Sequence, residues 1–189
     1  MESALIVSCM EKGTMLFMQM LNAASIRQIA TSQSCAGARN LILERDFDLV
    51  IINAPLPDET GEALSQYIAS KGLSQVILIA KSEYFYAVSA ACEEYGILTI
   101  SKPVNRDIFW SALMLAKSMH NRIKLIETEN AKLKQKIENI RIIDRAKCIL
   151  ISYMKMNEQE AHKYIEKQAM DMRTSRRAVA EGILKTYEN

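Results

Sequence analysis

The chain has 189 residues, 49% of them hydrophobic and 24% charged, with a formal net charge of +2. That is enough for one full domain and a smaller module, in the proportions of an ordinary soluble globular protein. It excludes a membrane-spanning design, because no apolar run approaches the roughly eighteen residues a bilayer helix needs. It also excludes a zinc or disulfide scaffold, because Cys9, Cys35, Cys92 and Cys148 are scattered and accompanied by only two histidines.

Met1-Glu-Ser-Ala-Leu-Ile-Val7 runs directly into a strand-like segment, so no signal peptide is expected, and reduced thiols point to a cytoplasmic chain. The charge is divided. Residues 1–115 hold 8 Lys+Arg against 12 Asp+Glu, whereas residues 116–189 hold 16 against 10. A surface for a polyanion therefore belongs in the C-terminal part.

Ala4-Leu-Ile-Val7, Asp48-Leu-Val-Ile-Ile-Asn53, Gln75-Val-Ile-Leu-Ile-Ala80 and Ile97-Leu-Thr-Ile100 are short apolar runs without alternation. Such runs predict strands buried on both faces of a parallel sheet. A further strand is expected near Ile26–Thr31, and helices over 13–24, 37–45, 60–71 and 84–95. This order implies right-handed βαβ units with helices on both sides of an open sheet. Gly13 and Gly37 are isolated, so no phosphate-cradling glycine loop is present.

The segment Asp48-Leu-Val-Ile-Ile-Asn-Ala-Pro-Leu-Pro-Asp-Glu-Thr-Gly61, followed by Lys102-Pro103, resembles the receiver domain of response regulators over roughly residues 3–118. The resemblance implies a flavodoxin-like (βα)5 fold. It also exposes departures. Asn53 stands where the family carries its phosphorylated aspartate, and Ser8 and Cys9 stand at the acidic pair that holds magnesium. Ala80 replaces the switch Ser or Thr, and Thr99 the switch aromatic, while Lys102 is retained. Without a carboxylate to attack or hard anionic ligands for a divalent cation, the expectation is a pseudo-receiver that is not controlled by aspartyl phosphorylation. It would serve either as scaffold and dimerisation platform or as a regulated surface for a partner protein.

From Arg106 to Arg145 there is neither Pro nor Gly. Ala116, Ile123, Asn130 and Ile137 recur every seven residues, as do Met119, Ile126, Leu133 and Ile140. Read as a and d positions over residues 116–143, they predict a coiled coil of about 42 Å at 1.5 Å per residue. Asn130 favours a parallel two-stranded register, whereas isoleucine at d favours higher states. Arg122 with Glu127 and Glu129 with Lys134 would attract across a parallel pair, and Lys136 with Arg141 would repel. A parallel homodimer is expected, and on this pattern His120 falls on the coil surface.

The first helix of the last segment continues through Ala146, Ile149 and Leu150 until Met156-Asn157 breaks it. Asn157 with Glu160 is a capping-box pattern. Ala161, Tyr164, Ile165, Ala169 and Met172 are expected inward on the second helix. Ala178, Val179, Ile183 and Leu184 are expected inward on a third, capped by Thr174 or Ser175. Together these helices can close a small core.

Ile142-Ile-Asp-Arg-Ala-Lys-Cys-Ile-Leu150, Asn157-Glu-Gln-Glu-Ala161, Gln168-Ala-Met-Asp171 and Val179-Ala180 resemble the ANTAR domain of AmiR- and NasR-type transcription antitermination regulators, over about residues 138–186. Cys148 departs from the family's usual glycine and reads as a core residue. The expected domains are a pseudo-receiver over 1–118, a dimerisation helix over 116–143 and an RNA-binding ANTAR module over 138–189. The whole layout looks most like the aliphatic-amidase antiterminator type.

The resemblance implies binding of leader mRNA hairpins so that an antiterminator forms in place of a terminator. It also implies control by a ligand-sensing partner protein. The basic residues available for phosphate are Arg141, Arg145, Lys147, Lys163, Lys167, Arg173, Arg176 and Arg177, with Arg145 and Lys147 matching the family motif. Tyr164 either stacks on a loop base or belongs to the core, and Tyr153 is a second aromatic candidate. No catalytic residue, metal site or cofactor is expected. A DNA-binding response-regulator-like factor, or a regulator that binds proteins alone, remains the alternative.

Overall fold

A computed structural model describes residues 1–72 and 74–187 of the chain. Two compact units are present, Met1–Lys124 and Leu125–Asn189. No helix among the described residues is long and apolar enough to cross a membrane.

The first unit is an α/β domain. Strands β1 (Ser3–Val7), β2 (Gln28–Ser32), β3 (Leu49–Asn53), β4 (Gln75–Ala80) and β5 (Leu98–Ser101) alternate with helices α1 (Glu11–Ala23), α2 (Cys35–Glu44), α3 (Glu62–Ser70) and α4 (Phe85–Glu93). The sheet is parallel in the order β2-β1-β3-β4-β5, which is the flavodoxin-like doubly wound arrangement. Every residue of β3 and β4 is buried, as their unbroken apolar runs require. Edge strand β2 is half exposed and more polar, which is why its boundary was the least legible and lies later than Ile26–Thr31.

One core layer, built on Leu5, Val50, Ile52 and Leu78, faces α2, α3 and α4. The other, built on Ile6, Ile51, Ile77 and Ile79, faces α1 and the start of α5 (Arg106–Met154). Local signals hold the loops in place. Ser34 caps α2 by accepting the Gly37 N–H at 3.1 Å. Gly61 opens α3 at φ 90°, and a Cβ there would lie 2.9 Å from Ile52 Cγ2.

His120 corrects the sequence reading. It is buried, with Nε2 3.7 Å from Asp48 Oδ1, because this turn of α5 still covers the sheet. Burial works against charge on Asp48, but the backbone N–H groups of Glu2 and Ser3, together with His120, overcome it and hold the carboxyl below its usual range. A depressed folded-state pKa contributes stability above the unfolded value of about 3.9 and loses it as pH falls through the lower folded value. Asp48→Asn is therefore expected to be less stable at neutral pH. Its deficit against the wild type should shrink through that acid window in urea melts taken at several pH values; a constant deficit would remove the electrostatic explanation.

The second unit contains the C-terminal part of α5, then α6 (Glu158–Asp171) and α7 (Arg176–Tyr187). Ala146, Leu150, Ala161, Ile165, Ala169, Val179 and Ala180 close its core, with Ile142, Ile143, Tyr164, Ile183 and Leu184 half buried around them. Asn157 caps α6 in a full capping box: its Oδ1 accepts the Glu160 N–H at 2.9 Å, and Glu160 Oε2 accepts the Asn157 N–H at 2.8 Å. Asn157→Ala should lower stability by about 1 kcal/mol, measurable as a shifted urea midpoint, since the Glu160 N–H at the helix end loses its side-chain acceptor.

Three expected core residues lie outside, one of them Ala178, which is exposed one residue before the buried pair Val179 and Ala180 on α7. Met172 is exposed, because α6 ends at Asp171 and the chain turns away there. Cys148 is exposed as well, two residues from both Ala146 and Leu150 and so on the opposite face of α5.

Candidate nucleic-acid interface and the degenerate acceptor site

At the C-terminal edge of the parallel sheet, where this fold places its ligands, Asn53 and Ser8 are both buried and bonded to each other. Asn53 Nδ2 donates to Ser8 Oγ at 3.0 Å. Ser8 Oγ in turn donates to the Met10 carbonyl at 3.2 Å and accepts its N–H at 3.3 Å. Ser8 Oγ thus has its donor and both its acceptor sites taken by neutral groups. Gly13 packs so closely that a Cβ would come 2.9 Å from Asn53 Nδ2.

Cys9 is exposed, with Sγ 3.8 Å from the Pro55 carbonyl. Burial pulls the Lys102 ammonium below the ordinary lysine value. Its backbone N–H bonds the Ala80 carbonyl at 2.9 Å, and the peptide to Pro103 is cis. Thr99 Oγ1 bonds Ser89 Oγ of α4 at 2.9 Å, so the position of the family's switch aromatic is tied to a helix by a hydroxyl pair. The five residues Ser8, Cys9, Asn53, Ala80 and Lys102 include no carboxylate.

The Cys35, Asp58 and Glu59 donors lie within 4.8 Å of one another. They are committed locally: Asp58 accepts the N–H groups of Cys35 and Ala36, and Glu59 pairs with Arg39. Burial, with Glu59 and Asp58 adding to it, pushes the Cys35 thiol up to about 11, so it stays protonated.

On the second unit the cations project around the apolar core. Arg141 and Arg145 are exposed on α5, Lys163 and Lys167 on α6, Arg173 after α6, and Arg176 at the start of α7. Lys147 differs from its neighbours. Its side chain is only 16% exposed and reaches Asp144 at 2.8 Å and Glu158 at 3.0 Å. Those two hydrogen bonds, Asp144 first, raise its pKa. Lys147 therefore ties α5 to α6, and a phosphate would have to displace two carboxylates to use it.

Arg176 Nη1 lies 2.9 Å from Glu166, and Arg177 bonds both Glu181 and, through Nη1 at 2.9 Å, Asn139. Tyr164 is half buried against the core, whereas Tyr153 is exposed beside Tyr187 with ring centroids 5.2 Å apart.

Two cations sit at helix ends, Lys155, which was not among the sequence candidates, and Arg173, which was. Lys155 follows α5 at φ 57°, and Arg173 follows α6 at φ 50°. At the second, the Arg173 N–H bonds the Met170 carbonyl and the Thr174 N–H bonds the Ala169 carbonyl at 2.9 Å, which is the Schellman pattern in which glycine is usual. A non-glycine residue there costs about 1–2 kcal/mol, partly offset by its stiffer unfolded chain. Arg173→Gly should accordingly gain about 1 kcal/mol in stability while weakening polyanion binding. Denaturant melts beside binding titrations test this, and a variant gaining stability at unchanged affinity would remove Arg173 from the interface.

The proposed a/d residues of α5 divide between the units. Ala116 is fully buried in the receiver core and has no face left for another helix, which corrects its place in that set. Met119 and Ile123 are half buried. Ile126, Leu133, Ile137 and Ile140 are 49%, 55%, 52% and 58% exposed, an apolar stripe interrupted by exposed Asn130.

Residues 131–184 match the ANTAR domain family. The transcriptional regulatory protein PdtaR of Mycobacterium tuberculosis is 31% identical over 139 residues, 74% of this chain and 68% of PdtaR, in both strain CDC 1551 / Oshkosh and strain ATCC 25618 / H37Rv. Among solved structures, a response regulator receiver domain protein from Clostridium thermocellum superposes with a TM-score of 0.57 at 19% identity, over 67% of this chain and 99% of that one. The signal receiver domain of an HD domain-containing protein from Pseudomonas fluorescens Pf-5 gives 0.56 at 22% identity, over 66% and 93%. At those identities the structural likeness speaks for the receiver fold alone.

Proposed function

Because this chain belongs to the family of ANTAR-domain transcriptional regulators with a receiver-type fold, we propose that it acts by binding hairpins in leader mRNA and stabilising an antiterminator there. The observation that carries this reading is the set of exposed cations, Arg141, Arg145, Lys163, Lys167 and Arg173, that the ANTAR-matched segment carries outside its apolar core. RNA hairpins offer phosphates for such cations and unstacked loop bases for planar guanidinium groups or an aromatic ring such as exposed Tyr153. Tyr164, half enclosed by Ile165 and its neighbours, serves the core first. The protein works by occupancy, with no bond made or broken.

Dimerisation belongs to the same proposal. The stripe Ile126, Leu133, Ile137 and Ile140 pairs with its copy in a second chain, with Asn130 setting register. Two modules then meet two hairpins, and the second contact becomes intramolecular.

Input at the N-terminal domain does not use an aspartyl phosphate: an amide at Asn53 forms no acyl phosphate, and Ser8 and Cys9 offer magnesium no carboxylate. A ligand-sensing protein docking on this domain is the expected regulator. Full-length protein incubated with acetyl phosphate and Mg²⁺ should keep its mass, and a phosphate adduct at the sheet edge would overturn this part.

The deciding experiment is salt-controlled binding of the full chain to a two-hairpin leader RNA and to duplex DNA of the same sequence. Selective RNA binding supports the antiterminator. Equal affinity for the duplex would make the chain a DNA-binding factor. Binding to neither across leader RNAs of its own genome would leave a regulator that acts through proteins.

A further inference from the structure

Between β4 and α4 the first unit holds an open apolar cavity of about 320 Å³, within the range of about 300–1,000 Å³ typical of small-molecule sites. Its floor is Leu78, Ala80 and Val88, all buried. Three alanines account for the space: Ala54 after β3, Ala80 at the end of β4 and Ala87 on α4 each present a single methyl where a larger side chain would close the gap. Protein interiors otherwise pack at a density of about 0.74, so an unfilled apolar recess of this size forfeits contacts that an apolar guest recovers.

We propose that this recess is a binding site for a small uncharged molecule with an aromatic or branched aliphatic body and one hydrogen-bonding group. The charge is argued from the lining. Its ionisable side chains, Lys81 and Glu62, have opposite signs, and Lys81 already faces Glu83 at 3.7 Å. An ion on the Leu78–Val88 floor would lose its water without a dedicated partner, a cost of several kcal/mol in an apolar setting. A hydroxyl or amide can instead reach the Thr60, Glu62 or Tyr84 rim while its apolar body fills the floor.

The site adjoins the degenerate acceptor through two backbone bonds. The Ala54 N–H bonds the Ile79 carbonyl at 3.0 Å, and the Ala80 carbonyl receives the Lys102 N–H at 2.9 Å. A guest here braces β4 against α4, giving this domain a chemical input that needs no phosphate. The inference does not rest on RNA binding.

The test uses full-length protein with labelled methyl groups, benzyl alcohol as probe, and benzoate and benzylammonium as charged controls. Benzyl alcohol should bind saturably in the millimolar range, moving the methyls of Leu78, Ala80, Ala87 and Val88. Both ions should bind at least about tenfold more weakly.

Ala87→Leu fills the mouth from an exposed helical position that leucine suits, and Ala80→Val fills the floor from a strand that valine suits. Either variant, with the rest of its methyl spectrum unchanged, should weaken the probe at least about tenfold. No saturation, shifts centred on other methyls, equal binding of the ions, or unchanged affinity in a folded variant would each overturn the proposal.

Discussion

Leu133→Asp combined with Ile140→Asp is expected to turn a dimeric chain into a monomer with both units still folded. The two side chains are 55% and 58% exposed and belong to neither core, so their replacement removes apolar surface without opening a cavity. In a parallel pair, each aspartate would face its own copy across the seam, burying like charges that have no partner. Light scattering should report half the wild-type mass at an unchanged helical signal. Affinity for the two-hairpin RNA should fall by about 10²-fold or more, because the second contact is no longer intramolecular. Affinity for a single hairpin should hold. A variant that stays dimeric would dissociate the stripe from assembly, and equal loss on one hairpin and two would show that the residues touch RNA.

Arg141→Ala with Arg145→Ala is the second large effect. Two lost phosphate contacts should flatten the dependence of log affinity on log salt by about 1.4, at about 0.7 per contact on a single strand, and weaken binding roughly 10- to 100-fold. Lys147→Ala supplies the contrast. Its ammonium is already held by Asp144 and Glu158, so its removal should cost up to about 1 kcal/mol in stability and leave the salt slope close to the wild type. Should Lys147→Ala reduce the slope as much as either arginine does, the tie between α5 and α6 must open when RNA binds. Cations two residues apart on one helix would then have the same role.

The difference between those cations shows why the site was harder to read than the fold. Arg145 and Lys147 match the same motif, and nothing in their order along the chain says that Lys147 reaches Glu158, eleven residues on. Arg177 meeting Asn139 is a longer step of the same kind. Which side chains neutralise one another depends on how two helices face, and that is a property of the assembled core.

The sheet was legible for the opposite reason. Residues 49–52 and 76–80 are apolar at every step, and only a strand covered on both faces makes use of such a run. Asn157 and Glu160 form a cap from residues three apart, with no distant partner needed. That Asn53, Ser8 and Cys9 are not carboxylates was likewise readable, once the resemblance to receiver domains said which positions that family fills with acids.

Ala116 and His120 mark where such reading stops. A seven-residue period specifies which face of α5 is apolar, but it does not name the surface that covers that face. Over its first turns the cover is the chain's own sheet, so Ala116 is buried and His120 meets Asp48; from Ile126 onward the same stripe is exposed. Ala178 and Cys148 failed as core residues because each residue of helix phase moves a side chain by about 100° around the axis, one step for Ala178 and two for Cys148, and Met172 failed because it lies one residue past a helix end. The cavity beside Ala80 had no sequence signal at all, since Ala54, Ala80 and Ala87 line one space only when the end of β3, β4 and α4 come together. The chain by itself determined its local elements, its family and its missing carboxylates, which depend on residue type and short-range spacing. Only the tertiary structure decided which apolar faces are covered, which cations are engaged and where space is left, because each depends on what distant segments place against one another.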